Sequence, residues 1–139
     1  MDRWILLLER FIKQSCFSKE VIINMDKDAI FIKKGDQKRE ISRPGRLYRL
    51  MVKSNNMEAI IAELNPHTVS RWYKHDGEEL HLVLEGEMEY EVGEKSYKLS
   101  EGDILWHRST LKHRAKNIGD EKVKYITIGS PPTFMVNEL

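Results

Sequence analysis

The stretch of the chain that decides the fold is residues 73–86, Tyr-Lys-His-Asp-Gly-Glu-Glu-Leu-His-Leu-Val-Leu-Glu-Gly. Asp76 and Gly77 form a turn dipeptide, and the apolar run that follows has the length of one β-strand. The turn reverses the chain, so Glu79 on the following strand comes close to His75. The segment therefore predicts a turn and a strand that bring together two side chains of the metal-ligating type.

Short apolar or alternating runs on both sides of this stretch are separated by glycine, proline and asparagine turns. Such regular spacing predicts an all-β sandwich or barrel. The predicted strands are residues 29–32, 47–52, 57–64, 69–73, 80–84, 88–92, 104–106 and 123–128. In residues 4–16, apolar side chains recur at helical spacing and predict one short amphipathic helix. We expect a single domain over residues 1–139, with the helix and its lead-in at 1–25 and the barrel core at 57–132.

The composition limits the partners and the compartment. The 139 residues include 23 Lys and Arg against 22 Asp and Glu, a net charge of +1 with no run of like charge, so we expect no direct binding to nucleic acid. The single cysteine, Cys16, excludes an internal disulfide and a thiolate zinc cluster and fits a reducing compartment. No apolar stretch is long enough to span a membrane. The expected location is cytoplasmic, without membrane association.

His113, on a distant predicted strand, can supply a third polar side chain to the site of His75 and Glu79. Two imidazoles and one carboxylate form a ligand set for a divalent metal such as zinc, iron, manganese or nickel, with coordination positions left open. The alternative is a polar interior in which the three side chains hydrogen-bond to one another and to water. The spacing alone does not separate these two interpretations.

Further side chains share strand faces with this site and are candidate contacts for a small polar ligand. By strand parity, the candidates are Arg71, Tyr73, His81, Met88 and Tyr90. The same positions are also suited to filling a barrel. His107 follows Trp106 at a predicted strand end, and we expect it to be a surface or core residue rather than a catalytic one.

Six residues at fixed spacing resemble the two motifs of the cupin superfamily. They are His75, Glu79, Gly86, Gly102, His113 and Asn117. The resemblance implies a double-stranded β-helix, the jelly-roll barrel of cupins, with a metal at the histidine and glutamate positions. One departure bears on the metal, because Tyr73 stands where the first motif has its first histidine.

A closer resemblance covers most of the chain. Residues 47–51, 57–64 and 130–134, together with the turn and strand quoted above, are similar to the C-terminal sensor cupin of helix-turn-helix regulators of the XRE type. We expect no counterpart of the DNA-binding half of those regulators within residues 1–139. The resemblance implies a dimeric domain that senses a small effector. The rival hypothesis is a metal-dependent cupin enzyme, a dioxygenase or an isomerase, acting on a small polar substrate.

The strand at residues 80–84 also indicates how the protein assembles. Leu80, Leu82 and Leu84 alternate with His81 and Val83, so both faces of this strand are largely apolar. One face points into the barrel, and the other needs a covering surface. We therefore expect a homodimer.

Overall fold

The computed structural model describes residues 28–133, and these residues carry ten β-strands. They are β1 (Arg39–Arg43), β2 (Arg46–Lys53), β3 (Glu58–Leu64), β4 (Thr68–Val69), β5 (Glu78–Glu85), β6 (Glu87–Val92), β7 (Lys95–Ser100), β8 (Ile104–Arg108), β9 (His113–Asn117) and β10 (Val123–Ser130). All lie in the compact unit Phe31–Leu139. The predicted N-terminal helix falls outside the described residues. Within the described part, no helix has the length and apolar character needed to cross a bilayer.

The strands form two antiparallel sheets. The larger sheet has the order β1-β2-β3-β10-β5-β8, and the smaller sheet has the order β4-β9-β6-β7. One apolar cluster joins them, with Tyr48 and Ile60 from the larger sheet and Met88 and Leu99 from the smaller one. The predicted all-β barrel is thus confirmed, with its core between the two sheets.

Strand β5 carries the polar residues into this core. Its side chains alternate, so that Glu79, His81 and Val83 are buried while Leu80 and Leu82 on the other face are partly buried. A strand with one face toward a core normally alternates between apolar inward side chains and polar outward ones. In β5 the inward face instead includes a carboxylate and an imidazole. Burying such groups is costly unless partners are present, so this face of β5 identifies the site.

Three differences from the predicted strands have a common cause. Residues 29–32 are not a strand, and Phe31 is 84% exposed. Conversely, β1, β7 and β9 are strands although their sequences are mostly polar. Backbone pairing with a neighbour decides strand formation, and a short apolar run without such a neighbour stays irregular. The strand predicted at residues 69–73 is also shorter than expected, because β4 ends at Val69. Beyond it, only an isolated bridge between Tyr73 and His113 is formed.

Candidate metal centre

The structure brings His75, Glu79 and His113 together inside the barrel. The Nε2 atom of His113 is 2.9 Å from Oε2 of Glu79, and the Nε2 atom of His75 is 3.6 Å from Oε1 of the same carboxylate. The side chains of Glu79 and His113 are 2% and 1% exposed, and that of His75 is 7% exposed. One ligand atom from each of the three residues lies within 4.8 Å of the others, so the group could hold a metal ion.

Backbone contacts fix the loop that carries His75. The amide of His75 donates to the carbonyl oxygen of Ser109 at 3.0 Å. The amide of Ser109 in turn donates to the carbonyl oxygen of Gly77 at 2.8 Å. Gly77 has φ +99°, and a Cβ there would lie 2.2 Å from the carbonyl oxygen of Ser130. No other residue fits this turn without displacing the backbone. Ser109 was not among the site residues predicted from the sequence. Its hydroxyl donates to Oε2 of Glu79 at 3.1 Å and thereby orients the carboxylate.

The ring nitrogens of His75 and His113 have defined roles. Nδ1 of His75 lies 3.1 Å from the carbonyl oxygen of Asp76, and Nδ1 of His113 lies 2.7 Å from that of Leu111. A carbonyl only accepts, so each Nδ1 carries a proton, and in the neutral form of either ring Nε2 presents a lone pair to Glu79. Both Nε2 atoms are buried and have no hydrogen-bond partner in the described structure. Lone pairs that face a carboxylate need a proton or a metal cation between them, and such outer hydrogen bonds are typical of metal-binding histidines.

The electrostatics of the group agree with this arrangement. Burial acts to raise the pKa of Glu79, but the neighbouring His113 and His75 hold that pKa well below its usual range. Burial acts to lower the pKa of His75, but the Glu79 carboxylate and the Asp76 carbonyl raise it above the ordinary value. The carboxylate is therefore ionised over the whole physiological range and attracts positive charge.

Two further histidines extend the group on its other side. Nδ1 of His107 lies 3.0 Å from the Arg108 carbonyl, so its Nε2 is an acceptor. Nε2 of His107 is 2.9 Å from Nε2 of His81, so Nε2 of His81 must be the donor of this hydrogen bond. Nδ1 of His81 is then unprotonated and accepts from the Thr127 hydroxyl at 2.8 Å. Glu79, His81 and His107 also lie close enough to hold a metal, but the His81 proton occupies the space between the two rings. Burial lowers the pKa of His81 to about 3 and also lowers that of His107.

His107 belongs to this buried cluster, which agrees with the core alternative of the surface or core role that we expected from the sequence. Its Nε2 lies 3.5 Å from Oε2 of Glu79, and its side chain is 4% exposed. Two apolar residues of the same strand, Ile104 and Trp106, lie on its other face. They are 60% and 53% exposed, and the face of His107 enters the barrel. The signal that could have found His107 is its pairing directly opposite Glu79, which only the register of β5 with β8 gives.

Of the five residues predicted to contact a ligand, three line a cavity and two do not. Tyr73, His81 and Tyr90 line a cavity of about 10 Å³, which is room for about one water molecule. Met88 is buried in the apolar core, outside the cavity lining. Arg71 is exposed, and its guanidinium lies over the Tyr73 ring at 5.1 Å, because the chain beyond β4 is not a continuous strand and parity fails there.

Comparison with known proteins identifies the class. The family model described as a cupin domain matches residues 60–129, and the protein belongs to the cupin family. An uncharacterized protein of Archaeoglobus fulgidus is 35% identical over 60 residues, which are 43% of this chain and 57% of that relative. The chain thus spans little more than half the length of this relative.

Two solved structures show the same fold at low identity. KdgF from Halomonas sp. has a TM-score of 0.64 and 19% identity, over 73% of this chain and 94% of that one. The cupin domain of an XRE family transcriptional regulator from Enterobacter cloacae has a TM-score of 0.59 and 15% identity, over 63% of this chain and 98% of that one. At these identities the likeness concerns the fold.

Proposed function

We propose that this cupin domain binds a divalent metal through His75, Glu79 and His113, takes a small polar ligand beside it, and acts as an effector-sensing module. The observation that carries the proposal is the pair of buried Nε2 atoms, on His75 and His113, that face an ionised carboxylate without a hydrogen-bond partner in the described structure. A cation at this point would satisfy all three side chains at once.

A bound divalent metal would supply a Lewis-acidic centre with open positions for an oxygen or nitrogen ligand. The surrounding residues have separate tasks in this proposal. Ser109 holds the Glu79 carboxylate in place, and the carbonyls of Asp76 and Leu111 hold the two imidazoles in the tautomer that binds metal. The burial of Glu79 and His113 keeps bulk water away from them, which strengthens the charge interactions at the site.

The sensing role is supported by the resemblance of the sequence to regulator cupins and by the structural likeness to the cupin domain of an XRE family regulator. The cavity has room for about one water molecule, so a ligand enters only if side chains move. A binding event that repacks the barrel is suited to signalling, because packed cores switch between discrete arrangements.

A metal-dependent enzyme, a dioxygenase or an isomerase, is the second candidate function. The observation in its favour is the hydrogen-bonded pair of His81 and His107 beside Glu79, since neutral imidazoles next to a metal can move protons. Turnover of small polar substrates by the iron-loaded protein, abolished in His107→Ala, would favour the enzyme. Metal and ligand binding without turnover would favour the sensor.

The metal proposal predicts the composition of the purified protein. Untagged protein purified without chelator should contain one divalent metal ion per chain, and His113→Ala should lose it, because the substitution removes one of three ligands. Elemental analysis by mass spectrometry measures the content. His67→Ala is a matched control, since His67 is exposed and pairs with Asp120 away from the site. A metal-free wild-type protein that also fails to take up added zinc, iron, manganese or nickel would refute the metal and leave the polar-interior interpretation.

The proposed homodimer rests on the outer face of the larger sheet. Leu80 and Leu82 lie opposite Trp106 and Ile104 of β8, and on the other side opposite Ile128 and Ile126 of β10. More than half of the surface of Trp106 and of Ile104 is exposed. A contiguous apolar face of this kind is typical of a protein interface, and a twofold dimer covers it with the same face of a second chain.

Substitution of a central residue on this face should separate the dimer. We expect the wild-type protein to have the mass of two chains at micromolar concentration and Leu82→Glu to have the mass of one, because a carboxylate in an apolar interface loses its hydration. Light scattering coupled to gel filtration measures both. Tyr97→Glu, a similar change at a partly exposed position on the smaller sheet, should remain dimeric. A monomeric wild type across this range would refute the dimer.

A further inference from the structure

Four tyrosines line the cavity inside the barrel, and their hydroxyls differ in hydrogen bonding. The hydroxyl oxygens of Tyr48 and Tyr73 each lie 3.3 Å from Nη1 of Arg46, which donates to them. Tyr90 and Tyr125 line the same cavity, and among the described residues neither hydroxyl has a hydrogen-bond partner. Both side chains are buried, with 4% exposure each. Two buried hydroxyls without a partner therefore border one small cavity.

The other hydroxyl and carboxyl groups of the cavity wall already have partners. The Ser70 hydroxyl donates to a backbone carbonyl oxygen and accepts from a backbone amide. The Thr127 hydroxyl donates to His81, and the Glu79 carboxylate accepts from Ser109. Within the described part of the cavity wall, the two remaining tyrosine hydroxyls are therefore the donors that a ligand would engage.

Small side chains leave the space beside these two tyrosines. On the larger sheet, Ala62 lies between Tyr48 and Tyr125 of the neighbouring strands. On the smaller sheet, Ala115 lies directly opposite Tyr90. Because a methyl group fills little of the interior, about 10 Å³ stays open, which is room for about one water molecule. One oxygen atom of a ligand occupies about the same space.

The protonation of the two tyrosines defines which group the cavity would accept. Burial raises the pKa of Tyr90 and of Tyr125 well above the ordinary value, so both phenols keep their protons and donate. A buried donor without an acceptor is costly, and an oxygen atom in the cavity would supply that acceptor. The ionised Glu79 lines the same cavity, and the described wall includes no Lys or Arg, so an anionic group would be repelled.

From this arrangement we propose that Tyr90 and Tyr125 form a subsite for the carbonyl or hydroxyl oxygen of a small uncharged ligand. The inference rests on the proposed function, because Glu79 belongs both to the cavity wall and to the candidate metal centre. A ligand oxygen that enters the cavity therefore lies beside the metal group. The two phenols donate to it, and the Glu79 charge disfavours an anion at the same place.

Formamide and formate test this preference, because each has three heavy atoms and they differ by one negative charge. Formamide is titrated into zinc-loaded and metal-free protein, and formate into metal-free protein only, since it would bind the metal directly. NMR of tyrosines labelled at the ring carbon that bears the hydroxyl reports binding. We expect formamide to shift the signals of Tyr90 and Tyr125, and formate to bind at least about fivefold more weakly. Equal or tighter binding of formate would overturn the proposal, and this comparison needs no variant.

Phenylalanine variants assign the binding to the two hydroxyls. Tyr90→Phe and Tyr125→Phe each remove one donor and should weaken formamide binding about three- to tenfold. Because neither hydroxyl has a protein partner, the free energy of unfolding in urea should stay the same or rise, which the loss of a structural hydrogen bond would not produce. Tyr97→Phe is the matched control, since Tyr97 is 38% exposed and lies outside the cavity wall. Unchanged formamide affinity in both cavity variants would overturn the subsite.

A cavity that holds only a structural water would give a different pattern. Formamide would then leave the tyrosine signals unchanged, both cavity variants would lower the free energy of unfolding, and the subsite would be refuted. Zinc content, measured on the same samples, separates this inference from the proposed function. Zinc binding without formamide binding would refute only the subsite. Formamide binding that depends on both tyrosines, in protein that takes up no metal, would refute only the metal centre.

Discussion

Glu79→Gln should lower the affinity of the protein for a divalent metal by at least about 100-fold, since loss of even an outer-shell partner typically costs 10–100-fold. The amide has nearly the shape of the carboxylate, so the barrel should stay folded while the only charge of the ligand set is removed. Oε2 of Glu79 is 2.9 Å from His113 and Oε1 is 3.6 Å from His75, so both imidazoles lose the negative charge that places a cation between them. Titration calorimetry with zinc measures the change.

Two variants make this result specific. Glu78→Gln removes the same charge one residue away on the exposed face of β5 and should leave zinc affinity unchanged. Tyr73→Phe should also have little effect, because the Tyr73 hydroxyl lies with Arg46 and Tyr48 rather than with the ligand nitrogens. A large loss in Tyr73→Phe would instead make the phenol a fourth ligand. If Glu79→Gln and His113→Ala both keep wild-type affinity, the three-residue site is wrong.

Acid should destabilise the metal-free protein through His81. Burial holds the folded pKa of His81 at about 3, against an ordinary value of 6.5, so below about pH 6.5 the unfolded chain binds one more proton than the folded one. The stability that the neutral ring allows is therefore lost as pH falls through this window. Between about pH 6 and pH 4 the free energy of unfolding should drop by about 2–3 kcal/mol from this residue.

Comparison with His81→Gln isolates that contribution. Other groups titrate in the same range, and His75, whose folded pKa is raised, acts in the opposite direction by adding stability as it binds its proton. The amide of glutamine does not titrate, so His81→Gln should show a shallower loss of stability with falling pH, whatever the substitution costs at neutral pH. Urea unfolding at a series of pH values measures both proteins. Parallel pH dependences would show that His81 is not held neutral in the fold.

His75 and Glu79 illustrate what could be predicted from local sequence. They are four residues apart across an Asp-Gly turn, and a turn of that type has few geometries, so their proximity was predictable without a structure. His113 was predictable as a third member because its spacing to Gly102 and Asn117 resembles the second cupin motif. The structure places it 2.9 Å from Glu79, as that resemblance implies.

The group of Arg46, Tyr48 and Tyr73 was not predictable in the same way. Tyr73 was a candidate ligand contact by parity, but Arg46 and Tyr48 lie on β2, 27 and 25 residues earlier in the chain. Their approach to Tyr73 depends on how the two sheets close around the core. Arg71 failed the same parity argument because the chain leaves the sheet after Val69.

The sequence by itself determined the all-β class, the cupin register and the convergence of His75 with Glu79, because alternation, turn dipeptides and motif spacing act over a few residues. The tertiary structure alone decided which face of β8 enters the barrel, and thereby placed His107 opposite Glu79. It also decided that β1, β7 and β9 are strands despite their polar sequences. The physical reason is that strand pairing and the choice of inner face are settled by backbone hydrogen bonds between distant segments, which a side-chain pattern within one segment does not encode.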